Sequence, residues 1–287
     1  FTDRDKKRYQ SHQKGFYPSE TIYKPKEKIT SYKKKVYSAP TTINLEMTEA
    51  CNVKCKHCYN PWREEHAGKF NLDEKKVDFL IDEFVKNKVF HVILSGGEPL
   101  AKFDILCHAL EKLAENNIST SLNSNLMLAT PEKMEKLKQI GLDHVLTSWF
   151  SYFPTETDNI TQYKGSFGKI VEGIKVTVKS GIRVSANTIV TQLNHNTIYD
   201  SGKFLHSLGV TQFFAHRVIP PAYDRKDEKK QHSAKQEVAK QSLDELLRLK
   251  NLLKIICFVF ICFVFIINMK YSSKLNFRGK SNQNQWK

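Results

Sequence analysis

Between residues 41 and 220, the chain alternates between short runs typical of β-strands and longer runs typical of α-helices. The strand-type runs are rich in β-branched residues, whereas the helical runs repeat apolar residues every three or four positions. The predicted strands are residues 42–47, 89–94, 118–122, 144–149, 182–191 and 211–218, and the predicted helices are residues 72–86, 103–116, 131–140, 167–180 and 198–208. This alternation predicts an α/β fold of about six units, with a parallel sheet covered by helices.

Three cysteines follow the first predicted strand, in the kind of loop that carries functional groups in such folds. Cys51, Cys55 and Cys58 are spaced four and three residues apart, so their thiolates can converge on one small metal cluster. A structural zinc site is the alternative, but zinc normally takes four protein ligands. His57 adjoins Cys58 and fits poorly around the same ion, and the sequence has no second Cys/His pair downstream. The pattern therefore favours an iron–sulfur cluster with one iron left open.

A glycine-rich segment, Gly96-Gly97-Glu98-Pro99, follows the second predicted strand. Its glycines permit close backbone approach, and Glu98 or a neighbouring carbonyl can accept hydrogen bonds from an ammonium group. Together with the C-x3-C-x2-C pattern, this segment resembles the radical S-adenosylmethionine (radical SAM) superfamily. The resemblance extends over residues 38–221 and implies a partial (β/α)6 barrel.

The resemblance also implies two cofactors. A 4Fe–4S cluster is expected on Cys51, Cys55 and Cys58, and its fourth iron is expected to take the amino and carboxylate groups of S-adenosylmethionine. Residues Gly96, Gly97, Glu98 and Pro99 are expected to contact that amino group. His57 stands where the family usually has an aromatic residue near the adenine, although a solvated loop histidine is the alternative.

The reaction that the family resemblance implies needs no catalytic side chain beyond the cluster. The reduced cluster, fed by a flavodoxin or ferredoxin, passes one electron to S-adenosylmethionine. The sulfonium then splits homolytically, and the 5′-deoxyadenosyl radical abstracts hydrogen from a substrate. The protein is expected to contribute placement and a closed, water-poor site.

Further positions resemble the SPASM-type, peptide-modifying branch of the family. Ser148 matches a serine that related enzymes place near the ribose. Asp158 and the segment 165–167 match a region that helps hold the carboxylate of the cofactor. Lys164 replaces the arginine of that pattern, which keeps the charge but loses the two-pronged hydrogen-bonding geometry.

Three asparagines complete the set of candidate binding residues. Asn187, in the fifth predicted strand, matches an asparagine of the same branch. Asn123 and Asn125 follow the third predicted strand and are candidates for polar contacts with the cofactor or substrate. The competing interpretations are structural: Asn187 satisfies a buried backbone group, Ser148 supports the fold, and the other two asparagines cap a loop.

The branch resemblance implies a peptide or protein substrate. Two alternatives stay open: radical modification of RNA or of a small-molecule cofactor precursor, and an inactive homologue that binds the cluster without turnover. The remaining cysteines do not form the C-terminal array that holds auxiliary clusters in this branch. Cys107 lies in an apolar helical pattern, and Cys257 and Cys262 belong to a tandem repeat of ICFVF.

The basic charge of the chain is concentrated in its two ends. The net charge is +15, of which residues 1–38 carry +7 and residues 269–287 carry +5. Solvated tails explain this distribution better than a nucleic-acid-binding surface. We therefore expect a flexible basic leader (1–38), a core barrel (39–221), a charged helical extension (222–250) and a tail (251–287), in a cytoplasmic protein.

The tail contains thirteen consecutive apolar residues, 255–267. A membrane helix needs roughly 20 such residues, so the run is short for an anchor. The run is also too uniformly apolar for an ordinary core segment. The abrupt change of composition and the tandem repeat favour an aberrant tail, with membrane association as the alternative.

Overall fold

The computed structural model describes residues 40–58, 70–217, 241–242 and 244–249, and the backbone alone of residues 256–258. The predicted leader, most of the charged extension and most of the apolar run lie outside these residues. Within the extension, residues 244–249 are helical.

Seven parallel strands form one sheet and follow one another in sequence order. The strands are β1 (Thr42–Glu46), β2 (His91–Ser95), β3 (Ser119–Ser124), β4 (His144–Trp149), β5 (Arg183–Val190), β6 (Gln212–Arg217) and β7 (Ile256–Phe258). The helices are α1 (Glu74–Lys86), α2 (Phe103–Glu115), α3 (Pro131–Ile140), α4 (Pro154–Thr161), α5 (Ser166–Lys179) and α6 (Ile198–Ser207). Two short 3-10 helices, Pro99–Lys102 and His195–Thr197, precede α2 and α6.

The predicted α/β class and parallel sheet are confirmed. The six strands β1–β6 match the six predicted strands and differ from them by one or two residues at their ends. In the part of the chain that the structure describes, β1 and β7 are not paired, so the sheet is open. The strand β7 comes from the apolar run and pairs with β6.

Among the α-helices α1–α6, α4 is the one that the sequence pattern did not predict. Its sequence, PTETDNIT, holds a single large apolar residue, Ile160, so it has no repeating apolar face. Pro154 occupies its first turn, where a missing N–H costs nothing. The helix ends at Gln162, whose left-handed φ of 56° turns the chain toward α5.

The two faces of the sheet differ in polarity because successive side chains point to opposite sides of a strand. The helix face is apolar and buried, and it includes Leu45, Val92, Leu94, Leu122, Val145, Val184, Ala186 and Phe213. Each large apolar side chain buried there stabilises the fold by about 1.5–3 kcal/mol.

We call the opposite side of the sheet the polar face. Its residues include Asn44, His91, Ser95, Ser119, Ser121, Asn123, His144, Ser148, Ser185, Asn187, Gln212 and His216. The apolar face of the sheet packs against the helices, and the polar face presents hydrogen-bonding groups on the opposite side.

None of the helices in the described ranges combines the length and the apolar character needed to cross a lipid bilayer.

Candidate cofactor-binding site

A cavity of about 310 Å³ lies where the polar face meets the loops at the carboxyl ends of the strands. It is lined by Cys51, Val53, Cys55, His57, Cys58, Ser95, Gly96, Gly97, Asn123, Ser124, Asn125, Leu146, Thr147, Ser148, Phe150, Asn187 and Ile189. Ten of the residues predicted from sequence are among them: the three cysteines, His57, Gly96, Gly97, Asn123, Asn125, Ser148 and Asn187. The predicted residues Glu98, Pro99 and Lys164 are not.

The cysteine loop, residues 50–58, is held in place by the end of α4. The Lys54 N–H donates to the carbonyl oxygen of Thr161 at 3.1 Å, and the Lys56 N–H donates to that of Ile160 at 3.0 Å. Carbonyls in the last turn of a helix lack partners within the helix, so they are available to an incoming loop. The Lys56 side chain adds a hydrogen bond of 2.5 Å to Asn159 Oδ1. The unpredicted helix thus supports the predicted ligands.

The donor set of the cysteine loop fits an iron–sulfur cluster. Cys51, Cys55 and Cys58 are thiols, each half-buried, and all three line the cavity. Cysteine thiolates are the usual protein ligands of such clusters, whereas a structural zinc ion normally takes four protein ligands. These residues therefore fit a 4Fe–4S cluster with three protein ligands.

His57 forms part of an aromatic wall of the cavity. Its ring lies 5.6 Å from that of Phe150, measured between centroids, and the two planes are tilted by 42°. Both residues line the cavity. This position suits the predicted contact with a flat heterocycle, which remains a prediction.

The two glycines after β2 are required by close backbone contact with the chain entering the cysteine loop. A Cβ on Gly97 would lie 2.2 Å from the carbonyl oxygen of Ala50, and one on Gly96 would lie 2.5 Å from that of Thr48. The Gly97 N–H donates to the Thr48 carbonyl at 2.6 Å, and the Glu98 N–H donates to the Ala50 carbonyl at 2.8 Å. Gly96 also has a φ of 142°, which side chains rarely adopt. The glycines therefore lock two loops together.

Glu98 is completely buried and turns toward the end of β3. Its Oε1 accepts hydrogen bonds from Ser124 Oγ at 2.7 Å and from the Leu100 N–H at 3.0 Å. Its Oε2 accepts from the Asn125 N–H at 2.8 Å. The carboxylate therefore supports the cavity wall from behind. A direct contact between Glu98 and a cofactor amino group remains a prediction.

Asn125 connects the end of β3 to the cysteine loop. Its Nδ2 donates to Asn52 Oδ1 at 2.8 Å, and its Oδ1 accepts from the Met127 N–H at 3.0 Å. The residue is buried and lines the cavity. Glu98 and Asn125 together join the three segments that carry the glycines, the β3 end and the cysteines.

Lys164 lies apart from the cavity lining and is exposed to solvent. The neighbouring Asp158 joins α4 to the start of α5 by accepting from the Gly165 N–H at 2.6 Å and Ser166 Oγ at 2.8 Å. Burial by itself raises the pKa of Asp158, but these bonds and one from the Phe167 N–H outweigh it and hold the pKa below its ordinary value. Asp158 is thus a structural brace here, and the contact predicted for Lys164 stays untested.

Ser148 and Asn187 are register neighbours on β4 and β5, so their side chains stand side by side in the cavity wall. Asn187 Oδ1 makes a hydrogen bond with Nδ1 of His216 on β6. The His216 ring stacks on Phe214 with an interplanar angle of 14°. Burial lowers the pKa of His216 below its ordinary value.

A second group of polar residues crosses the sheet at the amino ends of the strands; we call it the amino-end row. It comprises His91, Ser119, Ser121, His144, Ser185 and Gln212, none of which lines the cavity. His144 Nε2 and Ser185 Oγ are 2.8 Å apart, and Ser185 Oγ donates to Gln212 Oε1 at 3.0 Å. Burial, then the charge of Arg183 and the proximity of His91, lower the pKa of His144 to about 4.

The sequence patterns did not single out Ser95, Ser124, Phe150 or His216. Ser95 and Ser124 end β2 and β3, so their place after buried strands was an available signal. His216 had no local signal, because its partner Asn187 is distant in the sequence.

Comparison with known proteins shows a match of residues 45–205 to the family model described as "Radical SAM superfamily". A curated relative, "AdoMet-dependent heme synthase" of Methanosarcina barkeri, is 30% identical over 184 residues, which cover 64% of this chain and 52% of the relative. "PqqA peptide cyclase" of Bradyrhizobium diazoefficiens is 28% identical, covering 57% and 43%. "GTP 3′,8-cyclase" of Aquifex aeolicus is 26% identical, covering 60% and 55%.

Solved structures share the fold at low sequence identity. SuiB of Streptococcus suis, bound to its precursor peptide SuiA, superposes with a TM-score of 0.59 at 17% identity and covers 73% of this chain and 46% of that chain. The structure described as "Native anSMEcpe with bound AdoMet" gives a TM-score of 0.62 at 16% identity, covering 74% and 60%. The chain spans about half the length of the curated relatives it matches.

Proposed function

This chain belongs to the radical SAM superfamily, and we propose that it cleaves S-adenosylmethionine reductively and directs the resulting radical at a peptide or protein substrate. The observation that supports this most is the convergence of three cysteine thiols and Gly96-Gly97 on one cavity at the carboxyl ends of the strands. A cavity of about 310 Å³ is within the size range of small-molecule sites.

Cys51, Cys55 and Cys58 are proposed to hold a 4Fe–4S cluster, reduced by a flavodoxin- or ferredoxin-type donor. When bound, the cluster and S-adenosylmethionine together supply a 5′-deoxyadenosyl radical that abstracts hydrogen. All other roles fall to this chain, which binds and orients the cofactor and keeps water out.

Different residues of the cavity wall are proposed to contact different parts of S-adenosylmethionine. Backbone groups of Gly96 and Gly97 are proposed to meet the amino group of S-adenosylmethionine, since both residues line the cavity. Ser148, Asn123 and Asn187 are proposed to take its remaining polar groups. Val53, Leu146 and Ile189 supply apolar surface that limits water near the reacting centre.

A peptide substrate is supported by similarity to known proteins. One curated relative is named for a peptide cyclase, and one structural neighbour is bound to a precursor peptide. A nucleotide such as GTP is the alternative, because another relative is named for a GTP cyclase.

The first experiment reconstitutes the chain with iron and sulfide without oxygen, adds dithionite and S-adenosylmethionine, and measures 5′-deoxyadenosine by mass spectrometry. We expect 5′-deoxyadenosine from the unaltered chain and none above background from Cys55→Ala. Cys107→Ala is the matched control, because Cys107 is buried in α2 away from the cavity. Unchanged cluster absorbance and cleavage in Cys55→Ala would contradict the proposal.

The substrate class is tested by adding candidate substrates to the active enzyme. The neighbouring genes are searched for a short open reading frame, and the peptide that it encodes is compared with GTP in parallel. We expect the peptide, and not GTP, to raise the rate of 5′-deoxyadenosine formation and to lose hydrogen, as seen in its mass. Stimulation by GTP alone would replace the peptide assignment and leave the cofactor assignment intact.

A further inference from the structure

Asn187 and His216 form a side-chain pair at the edge of the cavity. Asn187 lines the cavity from β5, and His216 lies on the neighbouring strand β6 and the same face of the sheet. The pair is joined through Asn187 Oδ1 and His216 Nδ1. Among the residues that the structure describes, this is the one side-chain hydrogen bond of Asn187, so its geometry decides which end of the amide reaches the cavity.

The chemistry of the two groups determines the direction of this hydrogen bond. An amide oxygen has no proton and only accepts, so His216 Nδ1 must carry the hydrogen and donate it. A neutral imidazole has one N–H, and burial favours the neutral form of His216. The ring is also held in orientation by its stacking on Phe214. The amide of Asn187 is therefore oriented by its neighbour.

We propose that His216 is a positioning residue that occupies Asn187 Oδ1 and so presents Asn187 Nδ2 to the cavity as a hydrogen-bond donor for S-adenosylmethionine. This inference rests on the proposed function. S-adenosylmethionine carries many acceptors, namely ribose oxygens, adenine nitrogens and a carboxylate, so a donor of fixed direction is a useful contact. Ser148, beside Asn187, supplies a hydroxyl that both donates and accepts.

The test measures binding rather than turnover. Reconstituted protein without reductant is dialysed to equilibrium against labelled S-adenosylmethionine, and the Kd is compared among variants. Asn187→Leu removes the donor, and we expect binding about tenfold weaker, the effect of one hydrogen bond. His216→Leu frees the amide to turn, and we expect a loss of roughly three- to fivefold. His216→Asn keeps a donor at the position of Nδ1, and we expect it to restore binding to within about twofold.

The double variant shows whether His216 acts through Asn187. We expect His216→Leu with Asn187→Leu to bind no more weakly than Asn187→Leu alone, because a positioning effect disappears with the group that is positioned. Multiplied losses in the double variant would overturn the proposal. His144→Leu is the matched control, since it removes a half-buried histidine on the same face outside the cavity, and we expect an unchanged Kd.

Asn187→Asp tests separately whether position 187 must offer the cavity a donor. This variant also keeps the proposal testable if His216→Leu does not fold. An aspartate still accepts from His216 but offers the cavity an oxygen, so we expect weakening at least as large as in Asn187→Leu. Binding as tight as that of the unaltered protein would show that the cavity requires an acceptor, which contradicts the proposal. Failure of the unaltered protein to bind S-adenosylmethionine would instead contradict the proposed function.

Discussion

The polar face carries hydrogen-bonding side chains at both ends of its strands, but the two ends are organised differently. In the amino-end row, His91 bonds with two serines, His144 bonds with Ser185, and Ser185 donates to Gln212. At the carboxyl ends, Asn123, Ser148 and Asn187 line a cavity. The comparison shows that polar side chains on a sheet face do not by themselves identify a binding site. What distinguishes the two ends is that the amino-end row bonds within itself outside the cavity, whereas the polar groups at the carboxyl ends line it.

The tautomer of His144 follows from the hydrogen bonds within the amino-end row. Ser185 Oγ gives its only proton to Gln212, so it must accept from His144. His144 Nε2 therefore carries the hydrogen, and the pKa of about 4 keeps the imidazole neutral at neutral pH. The row consists of two hydrogen-bonded groups, one between β2 and β3 and the other across β4, β5 and β6, and we assign both to structure rather than binding.

The largest effect is expected from Gly97→Ala, which tests whether the carboxyl end depends on the contact between its loops. The added Cβ would meet the Ala50 carbonyl oxygen at 2.2 Å, and this is backbone that cannot turn aside. We expect unfolding to become easier by about 3 kcal/mol or more in urea titrations, together with loss of cluster incorporation.

Gly168→Ala is the control for that substitution. Gly168 lies in α5, and nothing is within 4 Å of its added Cβ. We expect a gain of up to about 1 kcal/mol from the higher helix propensity of alanine. Equal behaviour of the two variants would contradict the close-contact explanation of Gly97.

The next effect is expected from Glu98→Gln, which tests whether the cavity wall depends on support from behind. Glutamine places an amide nitrogen where one carboxylate oxygen now accepts, so a buried donor, Ser124 or the Asn125 N–H, loses its partner. We expect a loss of about 2–3 kcal/mol in the free energy of unfolding. We also expect weaker binding of S-adenosylmethionine in the dialysis assay. Glu111→Gln, at an exposed site on α2, should change neither quantity.

A smaller effect, limited to stability, is expected at the amino-end row. The pKa of His144 is about 4 in the folded protein and about 6.5 when unfolded. Between these two values His144 binds more protons in the unfolded chain than in the folded protein. The contribution of His144 to the free energy of unfolding is therefore full above about pH 6.5 and falls as the pH drops toward 4. We expect this slope to reach at most about 1.4 kcal/mol per pH unit and to diminish in His144→Leu.

The comparison would fail if His144→Leu also altered binding of S-adenosylmethionine. Measurement of the free energy of unfolding between pH 4.5 and 7.5, roughly the window set by these pKa values, tests the slope. A flat profile in the unaltered chain would show that His144 is not held neutral by the fold.

The smallest effect is expected from Asp158→Asn, which tests whether the link between α4 and α5 supports the cysteine loop. One of the carboxylate oxygens that caps the start of α5 is replaced by an amide nitrogen, so one donor among Gly165, Ser166 and Phe167 loses its acceptor. We expect a loss of about 1 kcal/mol in the free energy of unfolding and a modest decrease in cluster content, because α4 supports the cysteine loop.

Asp82→Asn is the control for this prediction. Asp82 is exposed and joined to Lys112 by a surface ion pair, so its replacement should have little effect. An unchanged stability in Asp158→Asn would show that the brace between α4 and α5 is dispensable.

Much of the fold was predictable because its signals are local. The periodicity of β1–β6 and of five helices is carried by a few adjacent residues, and Thr130, Pro131 and Gly141 define the ends of α3 as expected of capping residues. Helix α4 was missed because its stability comes from contacts with the cysteine loop and with the start of α5, and not from an apolar stripe of its own.

The candidate site was predicted unevenly for a related reason. The cysteines and Gly96-Gly97 form short motifs of adjacent or closely spaced residues, so the sequence alone predicts a role for them in a site. The contact expected between Glu98 and a cofactor remains a prediction, and the hydrogen bonds by which Glu98 supports the end of β3 were not predicted. Nothing in the neighbourhood of Glu98 in the sequence indicates Ser124 and Asn125, which approach only after the strands pair.

The sequence by itself determined the family, the parallel α/β arrangement and the three thiols on which the proposed chemistry depends. Only the tertiary structure decided which polar side chains line the cavity and which bond one another outside it. The physical reason is that each side chain has a fixed number of donors and acceptors, whereas their partners come from strands that are distant along the chain. His144 and Asn187 are alike in sequence terms, as polar residues in buried strands, and the contacts across the sheet separate a structural histidine from an asparagine in the cavity wall.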